Sequence, residues 1–90
     1  MKTLRIYIYG TVQGHLYRKY LEEQGNKIGV RGFVRQMEDG RVEVLVEGID
    51  DKVKEMLEIC KKGNKHVQVR KLEVQTLNHQ GFKGFRILKI

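Results

Sequence analysis

Hydrophobic and polar residues alternate at the start of the chain, where leucine and isoleucine occupy positions 4, 6 and 8 with arginine and tyrosine between them. This period of two is typical of a β-strand with one buried face. The spacing then changes to that of one helical face, formed by Tyr17, Tyr20, Leu21, Gln24 and Ile28. It predicts a helix that ends between Asn26 and Gly29.

A β-hairpin is predicted in the middle of the chain. An extended stretch begins at Phe33, and Glu38-Asp39-Gly40 then provides a turn, because Asp-Gly accepts positive φ at little cost. Valine occupies every second position from 42 to 46. This alternation predicts the partner strand of the hairpin.

A second helix is predicted after the hairpin. We expect Asp50 or Asp51 to cap it and Gly63 to end it. Its apolar face consists of Val53, Met56, Leu57 and Cys60. Because Cys60 lies on this face, we interpret it as a buried thiol and not as a nucleophile.

Extended stretches complete the chain. The apolar alternation changes phase between Val69 and Leu72, which suggests a bulge or a bend, and Phe85 to Ile90 forms the last strand. The order is strand, helix, strand, strand, helix, strand, with extended material before the end. It predicts a single α+β domain over residues 1–90 with the ferredoxin-like split-βαβ (βαββαβ) plan, an antiparallel sheet and two helices on one face.

The composition narrows the class of protein. A chain of 90 residues allows one hydrophobic core. A single cysteine excludes an internal disulfide framework and a zinc site with several thiolates. No apolar run approaches the ~18 residues that a membrane span requires, and the start of the chain lacks a secretory signal. We therefore expect a cytoplasmic protein that does not enter membranes, and nothing in the sequence demands more than a monomer.

The net charge of +7 favours anionic partners such as phosphate esters, nucleic acid or acidic lipid. Charge alone does not choose among these partners. His66 and His79 lie on separate segments, without a carboxylate or a cysteine at metal-binding spacing. No metal site is predicted.

The segment from Gly10 to Arg18 carries the clearest chemical signal. It joins a strand to a helix, and its two glycines allow the backbone to curl with N–H groups pointing inward. Unpaired amides and the positive end of the helix dipole together favour an anion. Arg18 adds a two-pronged cation beside them. The alternative is an ordinary strand-to-helix loop with a solvated arginine.

Two blocks of sequence resemble the acylphosphatase family. Gly10-Thr11-Val12-Gln13-Gly14, followed by Tyr17-Arg18, is similar to the family signature Gly-x-Val-Gln-Gly-Val-x-(Phe/Tyr)-Arg. The second block consists of Gly32-Phe33-Val34-Arg35, Asp39-Gly40-Arg41-Val42-Glu43 and Glu47-Gly48. It resembles the family's Gly-aromatic-Val-Arg-Asn, Asp-Gly-x-Val-Glu and Glu-Gly. The likeness spans essentially the whole chain.

The resemblance implies hydrolysis of the mixed anhydride between a carboxylate and a phosphate, without metal or cofactor. The partner is then a small acyl phosphate or phosphate. The family's catalytic arginine falls on Arg18, and its catalytic asparagine, which orients the attacking water, falls on Gln36. The implied phosphate-binding residues are Gln13, Gly14, His15, Leu16, Tyr17 and Arg18.

The chain departs from the family pattern at two positions. Gln36 keeps the amide of asparagine but adds a methylene and a rotatable bond, and a displacement of roughly 1 Å can cost about 10²-fold in rate. His15 replaces a valine of the signature, where its imidazole either strengthens anion binding or crowds the loop. We therefore expect an acylphosphatase whose activity is weakened.

Two alternatives remain open at this point. A degenerate family member would bind phosphate or an acyl phosphate without hydrolysing it. An RNA-binding module shares the same fold plan, and Arg31-Gly32-Phe33 and Lys83-Gly84-Phe85 each match the first three positions of its sheet motif. Both matches then fail, because neither is followed by Gly or Ala and another aromatic, so nucleic-acid binding is disfavoured.

Overall fold

The structure is a computed structural model that describes residues 1–12 and 14–89. These residues form two helices and five strands. In chain order the elements are β1 (Lys2–Val12), α1 (Gly14–Ile28), β2 (Arg31–Gln36), β3 (Val42–Gly48), α2 (Asp50–Lys62), β4 (Val67–Leu77) and β5 (Phe85–Ile87). The strands lie in one sheet in the order β4-β1-β3-β2-β5, and the two helices cover one of its faces.

The predicted ferredoxin-like plan is confirmed, with one correction to the sheet. Strands β1 to β4 pair antiparallel, whereas β5 pairs parallel to β2. The closing strand of the second βαβ half is β4, so the chain crosses from there to the opposite edge of the sheet. It arrives at the end where β2 begins, and β5 must therefore run in the same direction as β2. Of the predicted last strand, residues Phe85–Ile87 are extended, and Ile90 lies outside the described residues.

The core lies between the helices and the sheet. The branched side chains of β1 and β3 that face the helices are buried as predicted, although burial does not alternate in β3, whose residues are buried on both faces of the sheet. They are Leu4, Ile6, Ile8, Val42, Val44 and Val46. From α2, Val53, Met56 and Cys60 complete this layer. The side chain of Cys60 is fully buried as predicted, and burial raises the pKa of its thiol to about 12.

A bulge lies in the β1–β4 ladder. Tyr9 pairs with Lys71 and Gly10 pairs with Val69, so Arg70 is the extra residue on β4. The phase change read from the sequence is therefore confirmed. Gly10 is required here, because a Cβ atom at this position would lie 2.0 Å from the carbonyl oxygen of Gln68.

The predicted cap of the second helix is wrong. Helix α2 begins at Asp50, and the capping residue is Ile49, which makes no side-chain capping bond. Asp50 and Asp51 lie in the first turn instead, where negative charge is favourable beside the positive end of the helix dipole. The predicted end is confirmed, since the amide of Gly63 donates to the carbonyl of Ile59.

A buried carboxylate ties the β4–β5 connection to the face of the sheet that carries no helix. The side chain of Glu47 is fully buried and accepts hydrogen bonds from the backbone amides of Gln80, Gly81 and Phe82 at 2.7, 3.0 and 3.1 Å. The hydroxyl of Thr3 also donates to it. These hydrogen bonds hold the connection against the sheet where it crosses from β4 to β5 at the opposite edge.

Candidate active site

The predicted site residues lie at one end of the sheet. Strand β1 continues past Ile8, the partner of Val42, and leads into the start of α1. Strand β2 ends at Gln36, which also pairs with Val42. The guanidinium of Arg41 links the start of β3 to β1, because its Nη1 donates to the hydroxyl of Tyr9 at 3.4 Å. The end of β2 and the part of β1 that leads to α1 therefore lie at the same end of the sheet.

The start of α1 provides backbone donors. The helix begins at Gly14, and the first amides of an α-helix have no acceptor within the helix. Its first turn contains no acidic side chain that would compete for them. Both His15 and Leu16 are exposed there. Gln13, which was also predicted to bind phosphate, lies outside the described residues.

Tyr17 and Arg18 differ in where their side chains lie. Tyr17 is fully buried and packs against Tyr20, with 6.2 Å between ring centroids. The Tyr17 side chain therefore points into the core, and only its backbone lies near the predicted phosphate-binding site at the start of α1. Arg18 is half-buried, and as the next residue it projects about 100° around the helix from Tyr17. The buried tyrosine therefore anchors the helix turn that carries the arginine.

The side chain of Gln36 is held by its own hairpin. Its amide nitrogen donates to the carbonyl of Gly40 at 2.8 Å and lies 3.4 Å from the carbonyl oxygen of Arg41. A carbonyl can only accept a hydrogen bond, so these contacts fix which end of the amide is the nitrogen. The amide oxygen is buried and has no hydrogen-bond partner among the described residues.

The hairpin that carries Gln36 is itself fastened by charged and aromatic contacts. Asp39 accepts from the backbone amide of Arg41 at 3.1 Å and from its guanidinium at 2.7 Å. The backbone hydrogen bond is the main reason that the pKa of Asp39 is lowered. The same guanidinium lies 4.5 Å from the ring centroid of Tyr7, within cation–π range. Gly40, with φ of 95°, completes the predicted turn.

The sequence and structure of this chain were compared with those of known proteins. The acylphosphatase family model matches residues 4–87. The chain belongs to the acylphosphatase family. Acylphosphatases from Haloarcula marismortui and Pseudomonas paraeruginosa are 38% and 39% identical to it, each over 82 residues that cover 91% of this chain and 90% of the relative. The crystal structure of acylphosphatase from Bacillus subtilis superposes with a TM-score of 0.92 and 30% identity, covering 99% of this chain and all of that one.

The phenylalanines of the two partial matches to the RNA-binding motif are packed against other residues. Base stacking needs exposed rings on the open sheet face. Phe85 is buried against the helices, and the ring of Phe33 packs edge-to-face with Phe82 at 5.7 Å between centroids.

Neither of the two described helices has the length and apolar character that crossing a membrane requires.

The contacts of Arg41 were not predicted from the sequence, where Asp39-Gly40-Arg41 indicates only a turn and part of a family block. In the structure Arg41 pairs with Asp39 within the hairpin and joins the hairpin to Tyr9, and the carbonyl of Gly40 accepts from Gln36. The separation of Asp39 and Arg41 by a single glycine could have indicated their ion pair. The contact between Arg41 and Tyr9 depends on the register of the strands.

Proposed function

We propose that this chain hydrolyses acyl phosphates to a carboxylate and inorganic phosphate, with Arg18 and Gln36 as its catalytic residues. Water attacks the phosphorus, and the bond between the phosphorus and the acyl oxygen breaks. The carboxylate leaves with the bonding electron pair, and a phosphate oxygen accepts the proton of the attacking water. Such a transfer depends on charge stabilisation and on positioning more than on covalent help from the protein.

The phosphoryl group is bound at the start of α1. Backbone amides of residues 14–16 donate to its oxygens, and the positive end of the helix dipole adds to the attraction. The guanidinium of Arg18 forms a two-pronged contact that neutralises charge as the bond to the leaving group lengthens. The absence of an acidic side chain from the first turn of α1 supports this assignment.

The observation that carries the proposal is the buried amide oxygen of Gln36. An acceptor without a partner costs about 1–3 kcal/mol, and a rotation of the side chain that turns this oxygen toward the bound phosphoryl group lets the attacking water recover that cost by donating to it. The attacking water then presents a lone pair toward the phosphorus. The hydrogen bond from the Gln36 nitrogen to Gly40, at 2.8 Å, limits the extra freedom of the longer side chain. Activity is therefore reduced relative to an asparagine at this position, but not abolished.

The direct test is hydrolysis of benzoyl phosphate by the purified protein. Wild type should hydrolyse it well above the spontaneous rate, and Arg18→Ala should lose at least about 10²-fold in kcat/KM, because it removes charge stabilisation in the transition state. Arg18→Lys should recover little, since an ammonium does not reproduce the planar fork. The matched control is Lys27→Ala, which removes one positive charge from the other end of α1.

Binding of inorganic phosphate separates the enzyme from a non-catalytic relative. Amide resonances of residues 14–18 should shift on phosphate titration, and Arg18→Ala should abolish the shifts. If wild type binds phosphate there but does not hydrolyse benzoyl phosphate, the chain is a phosphate-binding relative. If Arg18→Ala retains full activity, the proposed mechanism is wrong.

A further inference from the structure

A groove runs along α1 from the end where the phosphoryl group is proposed to bind. Its first wall carries Leu16, in the first turn of the helix, and Tyr20 one turn further on. Its second wall is the segment between α2 and β4, with Asn64, Lys65 and His66. The groove has a volume of about 520 Å³ and is open to solvent. The side chain of Leu16 is 52% exposed at the end nearest Gly14.

The groove is apolar near the start of the helix and positively charged further along. Lys19 projects into it from α1 and Lys65 from the opposite wall, while Glu23 lies at the far end. Across the part of the chain that the structure describes, neither lysine forms an ion pair. Two cations without carboxylate partners give the groove an excess of positive charge, which favours an anion at this point.

The distances along the helix suit a short carbon chain. Lys19 comes five residues after Gly14, so their backbones are separated by about 7–8 Å along the helix axis at 1.5 Å per residue. An acyl chain that starts at the bound phosphoryl group would pass Leu16 first and then reach Lys19 and Tyr20, which are adjacent on the helix. Its methylene groups would contact Leu16 and the ring of Tyr20, and its far end would lie between the two ammonium groups.

We infer that this groove binds the acyl part of the substrate and prefers an acyl chain that ends in a carboxylate. The inference rests on the proposed function, because it requires the phosphoryl group to lie at the start of α1. It adds a substrate preference that the phosphate-binding loop cannot supply, since that loop contacts only the phosphoryl oxygens. Lys19 and Lys65 are specificity-determining residues in this account.

The test compares two acyl phosphates of equal chain length, hexanoyl phosphate and adipoyl phosphate, with acetyl phosphate as the reference. They differ only in the terminal carboxylate. Wild type should show a kcat/KM for adipoyl phosphate about 3- to 10-fold above that for hexanoyl phosphate, the size expected for exposed charge pairs. The double variant Lys19→Gln/Lys65→Gln should reduce this ratio to about one. Lys54→Gln, which removes an exposed lysine of α2 outside the groove, should preserve it.

Salt provides an independent readout. Raising the ionic strength to about 1 M shortens the Debye length to about 3 Å and should remove most of the preference in wild type. Equal kcat/KM values for the two substrates in wild type, or an unchanged ratio in the double variant, would overturn the inference while leaving the proposed function intact. If none of the three substrates is hydrolysed above its spontaneous rate, the proposed function is wrong, and the inference about the groove is then wrong as well.

Discussion

Glu47→Gln tests whether one buried carboxylate holds the β4–β5 connection on the sheet. The substitution keeps the size of the side chain but replaces one oxygen by an NH2 group. In wild type, Oε1 accepts from the amides of Gly81 and Phe82, and Oε2 accepts from the amide of Gln80 at 2.7 Å. An amide nitrogen in place of Oε2 would face the N–H of Gln80, donor against donor.

The expected cost follows from these contacts. Hydrogen bonds to a charged group contribute about 1.5–3 kcal/mol each, and a buried donor left without a partner costs about 1–3 kcal/mol. Two weakened bonds to Oε1, one lost bond from Gln80 and a Thr3 hydroxyl that must turn to accept from the new NH2 group should together reduce the free energy of unfolding by about 2–4 kcal/mol.

The pH dependence of unfolding gives a second signature. Burial alone would raise the pKa of Glu47, but hydrogen bonds from Gln80, Thr3 and Phe82, together with the nearby His79, lower it to about 2. A carboxyl whose folded pKa is depressed contributes stability above its unfolded value, near 4.5, and loses that contribution as the pH falls toward 2. Wild type should lose stability over this interval, whereas Glu47→Gln should lack this component.

Urea unfolding at pH 7 and pH 3 measures both effects, and amide hydrogen exchange should show faster exchange at residues 80–82 in the variant. The matched control is Glu58→Gln, since Glu58 is an exposed carboxylate of α2 and its change should stay within about 0.5 kcal/mol. A loss below about 1 kcal/mol in Glu47→Gln at pH 7 would show that the carboxylate does not hold the β4–β5 connection. So would an identical loss of stability in wild type and variant between pH 7 and pH 3.

Three further predictions concern the site and the core. Gln36→Asn should raise kcat by roughly 10- to 100-fold with little change in phosphate affinity, because the amide acts on the water and not on the phosphoryl group; an unchanged rate in both Gln36→Asn and Gln36→Asn/His15→Val would contradict this. Tyr17→Phe should increase the free energy of unfolding by about 1 kcal/mol in urea titrations, since the buried hydroxyl has no partner among the described residues; a decrease would count against that account. Cys60, buried and with its pKa raised to about 12, should react with a thiol reagent at pH 8 only as fast as the protein unfolds, and rapid stoichiometric labelling would show that it is accessible.

The local pattern of apolar and polar residues predicted most of the fold, because apolar positions are the ones that become buried. The alternation of Leu4, Ile6 and Ile8 indicates which face of β1 is covered, and the shift between Val69 and Leu72 indicates the bulge at Arg70. Both are properties of neighbouring residues. The sequence could not predict the direction of β5, which depends on where β4 ends relative to the start of β2.

The site was only partly predictable for the same reason. Motif residues could be assigned to the start of α1 and to the end of β2, but not the contacts between them. In the sequence Glu47 is only part of a family block, because its burial and its three backbone donors depend on where the β4–β5 connection lies in the fold. The contact of Gln36 with Gly40 likewise depends on the hairpin geometry. Contacts between distant segments carry no local signal in one sequence.

In the proposed mechanism, water positioned by Gln36 attacks a phosphoryl group bound by Arg18 and the start of α1. The most direct measurement is hydrolysis of benzoyl phosphate in water labelled with heavy oxygen, followed by mass spectrometry of both products. Attack at phosphorus predicts one labelled oxygen in the inorganic phosphate and unlabelled benzoate, at a rate well above that without protein. Label in the benzoate would show attack at the carbonyl carbon and contradict the account, as would a rate no faster than spontaneous hydrolysis.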